Sequence, residues 1–353
     1  MIIFTKVHRF HRGGDHMKPR IHQISVMMLC SFMMLCLILD GQTALYGAAA
    51  GVDVCIKTVI PTLLPYIFLS SLLCGSIVGS KIPIVGKISR ICGVPDGLES
   101  ILLVGMIGGY PVGAKLITDA YRNGQLSKSA ARRMISFCNN AGLSFIFGIL
   151  SGMFSNRLIL WCLWGVHIIS ALIVGCILPI KELRESKRIR AKPVDVSAVL
   201  LQSVKTVAQI CGWIILFRIL IAYLNKWFLG QASPIIQVLL TGMLELANGC
   251  IGLGSIPNEA IRLPVSAIML SFGGLCVTMQ TRSVTGELGL GIYIPGKLLQ
   301  TVISLLLVIP ATYFFYKIEP DIWIILDFAI MVLMFALIIA AKLHQRKKVV
   351  AIP

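Results

Sequence analysis

The sequence predicts an all-α, polytopic membrane protein built as an inverted repeat, with two re-entrant hairpins and broken helices. Three observations predict it. Apolar runs such as VMMLCSFMMLCLIL and FAIMVLMFALIIAA recur along a 353-residue chain that is 57% hydrophobic and only 13% charged. Soluble domains carry about 25% charged residues, and runs of about 18 or more apolar residues read as bilayer spans. Lys and Arg gather in alternate loops, the asymmetry that marks the cytoplasmic side. Finally, short similarities recur in the same order in both halves.

The net charge of +17 follows from that topology. The basic residues sit in short loops without a recognition motif, so a lipid bilayer is expected as partner and nucleic acid is not. Eleven cysteines are scattered singly, mostly in apolar runs, with no C-x-x-C pair; they read as small apolar residues, and no metal site is expected. The N-terminal MIIFTKVHRFHRGGDHMKPR reads as a solvated basic flank, with a His-bearing metal site as the alternative and Met17 as a second candidate start. The apolar run after it, with TALYGAAAG, mimics a signal peptide and its small-residue cleavage site. The length of the run favours a retained first span.

Apolar length and breakers place spans near 23–39, 54–79, 131–154, 158–180, 198–224, 263–280, 298–316 and 322–341. Basic clusters precede the first span and follow the second. They recur around Arg122, Lys128, Arg132 and Arg133, across 181–192, and at the C-terminus, which makes both termini cytoplasmic. The segment 98–120 has basic loops on both sides, so it enters and returns. Its apolar part, ILLVGMIGGYPVGA, has the length of a re-entrant segment, about 10–14 residues. If 234–256 crossed, every later segment would reverse and Arg346, Lys347 and Lys348 would lie outside. It therefore reads as a second hairpin, dipping from the opposite face.

KTVIPTLLPYIFL from Lys57 matches KTVAQICGWIILF from Lys205. LLVGMIGGYP from Leu102 matches LLTGMLELANG from Leu239, and SFCNNAG from Ser136 matches SFGGLCV from Ser271. Given the charge-derived topology, the two units run in opposite senses, as in transporters whose substrate binds at broken elements near the midplane. The chain divides into 1–50, a basic flank and first span; 51–180, the first repeat; 181–197, a basic cytoplasmic loop; 198–297, the second repeat; and 298–353, terminal spans and basic tail.

Polar residues inside these segments are the candidate solute contacts. Glu245, mid-hairpin, reads as a cation or proton carrier, a substrate acceptor, or a structural hydrogen bond locking the tip; Asn248 shares its face or caps it. Asn139 and Asn140 interrupt the third span and offer amides and free backbone groups, or else contacts between helices. Ser271, Gly273 and Gly274 occupy the equivalent break. Gly105, Gly109 and Gly113 are spaced for close helix approach, while Gly109, Tyr110 and Pro111 form a tip with free N–H groups. Lys115 presents a cation to an anion or pairs with Asp119 four residues on. Arg218 snorkels to the outer interface or serves Glu245 or an anion. No Walker A, H-E-x-x-H or G-x-S-x-G sequence is present, so the chain is not expected to be an enzyme and no cofactor is expected. Coupling to Na+ or H+ and homo-oligomerisation are both compatible with this reading.

The stretch GMIGGYPVGAKLITDAYRNGQLSKSAARRMISFCNNAGLSFIFG, with GMLELANG and SFGGLCVTMQ later, resembles the signatures of the YlbJ/SpoVV sporulation integral membrane proteins. These are members of the wider nucleoside-recognition (Gate) domain group. The resemblance covers about residues 50–317. It implies a fold similar to concentrative nucleoside transporters, a place in endospore formers at the outer forespore membrane, and movement of dipicolinic acid from the mother cell toward the forespore. By motif it marks Gly109, Pro111, Gly113 and Lys115, Asn139 and Asn140, Glu245 and Asn248, and Ser271, Gly273 and Gly274. The chain departs from that pattern where a proline is expected soon after the asparagines and Ala141, Gly142 and Leu143 stand instead. The leading expectation is a secondary transporter of a small polar, anionic metabolite. A membrane scaffold or assembly factor, and a nucleoside transporter, are the alternatives.

Overall fold

A computed structural model describes residues 18–77, 82–179 and 195–317. The N-terminal basic flank, most of the basic loop near 181–194 and the span expected near 322–341 lie outside the described residues. Among those described, every regular element is helical. Five stretches are long and apolar enough to cross a membrane: Gly41–Leu73, Arg157–Ile177, Val196–Trp227, Glu259–Leu288 and Tyr293–Tyr316. Large apolar side chains such as Met34, Ile38, Leu45, Leu69, Leu158, Trp161, Leu216 and Phe314 point outward. In water such a surface would be untenable; in lipid it is the expected one. The chain is a multi-pass helical membrane protein.

Helix α1 (Lys18–Leu39) ends at Asp40, which caps α2 (Gly41–Val54) by accepting from the Thr43 backbone and hydroxyl. One π-helical turn, Cys55–Val59, joins α2 to α3 (Ile60–Ile77). The second span therefore begins at Gly41, not near 54. The small residues of TALYGAAAG lie inside α2 and serve packing. A methyl added to Gly47 or Gly51 would stand 2.8 and 2.9 Å from the Cα atoms of Ile219 and Ile215, on α10 (Val196–Trp227). Small residues at this spacing let two backbones approach closely. At the end of α10, Lys226 Nζ reaches Asp40 Oδ2 at 2.5 Å and the Tyr223 hydroxyl donates to the Cys36 and Asp40 carbonyls. The hydrogen bond from Lys226, with help from Thr43, holds the Asp40 carboxyl below its ordinary value.

After α4 (Pro83–Ile91), α5 (Glu99–Ile107) packs on α6 (Val112–Arg122). They have 9 and 11 residues, so they are only about 14 and 17 Å long, against a hydrocarbon core of about 30 Å. Neither crosses alone. The stretch expected as a third span, 131–154, is two helices, α7 (Lys128–Cys138) and α8 (Leu143–Ile149), with non-helical chain between them. Arg133, a basic residue of the preceding cluster, is buried. Its guanidinium donates to the Cys92, Gly93, Leu178 and Gly175 carbonyls, closing the C-terminal ends of α4 and α9 (Arg157–Ile177). Arg132 donates to the Leu288 carbonyl. Two of the charges that mark this loop thus serve as structural clamps.

The second half follows α10 with α11 (Pro234–Leu244) packed on α12 (Leu246–Gly252), then α13 (Glu259–Phe272), α14 (Gly274–Thr285) and α15 (Tyr293–Tyr316). The expected sixth span is divided at Gly273, whose positive φ of 81° ends α13 and suits glycine. Side-chain oxygens of Ser127, Asn156, Asp195 and Asn258 cap α7, α9, α10 and α13, each cap contributing about 1 kcal/mol.

Candidate solute site at the helix breaks

Helix α7 stops because Asn139 is extended, with φ −114° and ψ 96°. Its side chain replaces helix bonds with bonds to neighbours. Oδ1 accepts from the Ala114 N–H at 3.3 Å, one of the unpaired donors in the first turn of α6. Nδ2 donates to Thr281 Oγ1 of α14 at 3.0 Å. Asn140 Nδ2 turns back to the Phe137 carbonyl at 2.6 Å, and the Ala141 N–H donates to His167 Nε2 on α9 at 3.0 Å. The α5–α6 pair grips the break from the other side. Gly105 and Gly113 both face the Cys138 carbonyl so closely that a methyl on either would overlap it, and Gly109, with φ 83°, lies against Gly142.

The second break is held similarly. The Gly242, Met243 and Leu244 carbonyls, at the end of α11, lie against Gly274. Tyr110, at the α5–α6 turn, donates its hydroxyl to the Leu270 carbonyl at 3.0 Å, a terminal acceptor of α13. Ser271 Oγ lies 3.4 Å from His167 Nδ1. One turn therefore touches both breaks.

Helix α15 completes the site. Tyr293, Lys297, Gln300 and Ser304 are all buried, whereas Leu298, Val302 and Phe314 are exposed. Their spacing of three and four residues puts the polar four on one face, so the helix is polar inward and apolar outward. Lys297, 1% exposed, donates to Asn140 Oδ1 at 3.0 Å and Gln300 Oε1 at 2.8 Å. The Tyr110 and Tyr293 rings lie 5.2 and 5.8 Å from its Nζ, within cation–π range. Gln300 Nε2 donates to Asn140 Oδ1 and to the His167 carbonyl, both at 3.1 Å. Among the described residues no carboxylate pairs with Lys297. Among the described residues the Ser304 hydroxyl is buried without a partner, and the Tyr293 hydroxyl lies beside Thr281 and Asn139 without completing a hydrogen bond to either.

Of the residues singled out in the sequence, the structure brings together Gly109, Tyr110, Pro111, Gly113, Asn139, Asn140, Ser271 and Gly273. Gly274 joins them to the end of α11. Lys115 turns away and pairs with Asp119 at 2.9 Å, the local alternative. Glu245, 3% exposed, is the N-cap of α12: Oε1 accepts from the Ala247 N–H at 3.0 Å and Oε2 from the Asn248 N–H at 2.7 Å. Both bonds are to the first turn of α12 itself. Arg218 is within electrostatic range of Glu245, and among the described residues its Nε is buried without a hydrogen-bond partner. Lys297, Gln300 and His167 are additions that sequence reasoning missed. The usable signal is the polar 293, 297, 300, 304 series within an apolar run, and a histidine at the middle of an otherwise apolar span.

The chemistry offered here is one cation, three amides, two tyrosines and backbone donors and acceptors at helix ends. Among the described residues no group of three His, Cys, Asp or Glu side chains converges on a point that would hold a metal ion.

No family model matches the chain, and no solved structure matches it. Among curated proteins it is similar to the sporulation integral membrane protein YlbJ of Bacillus subtilis (strain 168), with 30% identity over 181 residues. That alignment covers 49% of this chain and 44% of the relative, so the chain matches less than half the relative's length. Sequence likeness and helical membrane architecture together support a YlbJ-like assignment for this chain.

Proposed function

We propose that the chain is a secondary transporter of a small polar, anionic metabolite, which binds at Lys297 between the two helix breaks and is exposed alternately to either side of the membrane. The carrying observation is Lys297 itself: a buried lysine, one turn into the apolar helix Tyr293–Tyr316, whose hydrogen-bond partners are neutral oxygens. An ion buried among apolar helices costs several kcal/mol unless compensated. Evolution tolerates such a group where function needs it, and an incoming carboxylate supplies the missing charge.

The order of elements supports the repeat reading over 51–180 and 198–297, with α2 beginning before the first unit and α15 running past the second; the charge-derived topology gives the two units opposite senses. Long helices α2–α3 and α10 each precede a short packed pair, a broken helix and a long helix: α5–α6, α7–α8 and α9, then α11–α12, α13–α14 and α15. In both units the residue restarting the broken helix lies against backbone of the short pair, Gly142 on Gly109 and Gly274 on the Gly242–Leu244 carbonyls. Such interruptions at membrane depth are tolerated where protein or a watery cavity satisfies the backbone, and opposed units of this kind are how alternating-access carriers are built. Dipicolinate is the candidate cargo implied by the sporulation resemblance, with the forespore membrane as its setting.

Uptake by liposomes containing the purified protein tests this reading. A panel of dicarboxylates including dipicolinate, with uridine and adenosine as nucleosides, should show saturable dicarboxylate uptake that Lys297→Met abolishes. Nucleoside uptake would favour the nucleoside carrier, and no uptake of any solute by a folded protein would favour a scaffold.

A further inference from the structure

His167, 1% exposed in the middle of α9, has a different partner at each ring nitrogen. Nε2 accepts the Ala141 N–H at 3.0 Å, so it carries no proton, and the ring is neutral with its proton on Nδ1. Nδ1 then donates toward Ser271 Oγ at 3.4 Å; Gln300 Nε2, itself a donor, lies 3.5 Å away without accepting. Gln300 Oε1 accepts from Lys297 Nζ at 2.8 Å. A single amide side chain separates the imidazole from the buried ammonium.

A dicarboxylate, the solute of the reading above, brings two negative charges, and among the described residues Lys297 is the one basic side chain hydrogen-bonded into the site. We propose, resting on the transporter reading above, that His167 supplies the second positive charge by taking up a proton as the anion binds, so that solute and proton are carried together. While Lys297 is uncompensated, a second cation one amide away is repelled across a medium that screens poorly. The anion removes that repulsion, and by reciprocity a protonated His167 tightens the anion. The proton enters from water to Nε2 and leaves from Nε2 when the solute departs. No bond of the solute changes.

The same step has a mechanical consequence. Protonated Nε2 is a donor and cannot accept the Ala141 N–H, so the 139–142 break must shift whenever the proton arrives. Charge at the site and geometry of the break are thereby linked. Lys297 of α15 is the ionisable group shown to act on His167; the packed helices also carry Tyr293, Tyr313 and Tyr316 on α15 and Lys128, Arg132 and Cys138 on α7, of which Arg132 is engaged with the Leu288 carbonyl. α8 has none, and Glu259 and Arg262 of α13 are engaged at that helix's other end, with Ser155 and the Met153 carbonyl. Arg133 of α7 is engaged with the C-terminal carbonyls of α9. A sodium ion fits less well, because the amide oxygens of Asn140 and Gln300 already serve an ammonium.

Calorimetric titration of the purified full-length protein with dipicolinate, in two buffers of different ionisation enthalpy, tests the inference. The probe's carboxyls are fully ionised near neutral pH, so any proton taken up binds to protein. The wild type should take up about one proton per anion near neutral pH, and its Kd should weaken as pH rises. His167→Gln, whose amide oxygen reaches the position of Nε2 and keeps an acceptor for Ala141, should bind about 10-fold more weakly, take up no proton through residue 167 and show a weaker dependence of Kd on pH. Wild-type binding without proton uptake, or unchanged proton uptake in His167→Gln, overturns proton coupling through His167 and leaves the transporter reading standing. No anion binding by a folded wild type overturns both.

Discussion

Lys297 Nζ on α15 lies 3.0 Å from Asn140 Oδ1 in the α7–α8 break, so a buried lysine is fastened to the non-helical chain between two helices. An anion that draws the ammonium away from that amide acts directly on the break. Binding and conformational change are then one event.

Lys297→Met removes the charge and keeps most of the side-chain volume. Anion affinity should fall by about 2–4 kcal/mol, roughly 30- to 700-fold in Kd. Thermal stability without ligand should hold or rise, because a buried ion without counter-charge is removed. Lys297→Arg should restore binding only partly, since guanidinium geometry differs from that of a point charge. Equilibrium dialysis and melting in detergent check both.

Much of the fold is legible in the sequence because the bilayer sets few rules. The amide pair at Asn139 and Asn140 and the glycines at 273 and 274 stand out since nothing apolar explains them. Lys297 is hidden because it borders the run beginning at Leu298 and reads as an interfacial lysine. Only the tertiary fold shows that α15 starts at Tyr293 and carries Lys297 inward. Glu245 is conspicuous in the sequence by its charge, whereas its capping of α12 through the Ala247 and Asn248 N–H groups shows only in the structure. The extent of the second span is misjudged because small residues near Gly47 look like a cleavage site, whereas their role is contact with α10.

Gly113→Ala should be severe. The added methyl would overlap the Cys138 carbonyl, and backbone cannot yield as a flexible side chain does. A loss of about 1–3 kcal/mol is expected, read as a lower melting temperature with reduced uptake. Gly124→Ala is the control: a methyl there meets no neighbour, and only its positive φ of 71° adds strain, about 1 kcal/mol.

Glu245→Ala should cost about 1–2 kcal/mol by uncapping α12. Glu245→Asp, a good capping residue, should retain at least half of the uptake rate. A Glu245→Asp protein that melts normally but transports nothing would assign the carboxylate a direct role in solute or cation movement.

Acid should loosen the end of α10. Asp40 is held below its unfolded value by Lys226 and Thr43, so its contribution is fully present above an unfolded pKa of about 3.9. It is lost as pH falls through the lower folded value. Melting curves of the wild type and Asp40→Asn should therefore differ at pH 6 and converge toward pH 3.

Labels at Lys87 and Lys128, both exposed and flanking the α5–α6 pair, should report the same side of the membrane. Opposite sides would mean that this pair crosses.

Binding of radiolabelled dipicolinate to wild-type and Lys297→Met protein, compared at matched folding, tests the central claim most directly. Saturable binding in the wild type, displaced by unlabelled dipicolinate but not by uridine, and lost in a Lys297→Met protein that melts normally, is the result expected. Equal binding by both proteins would contradict it.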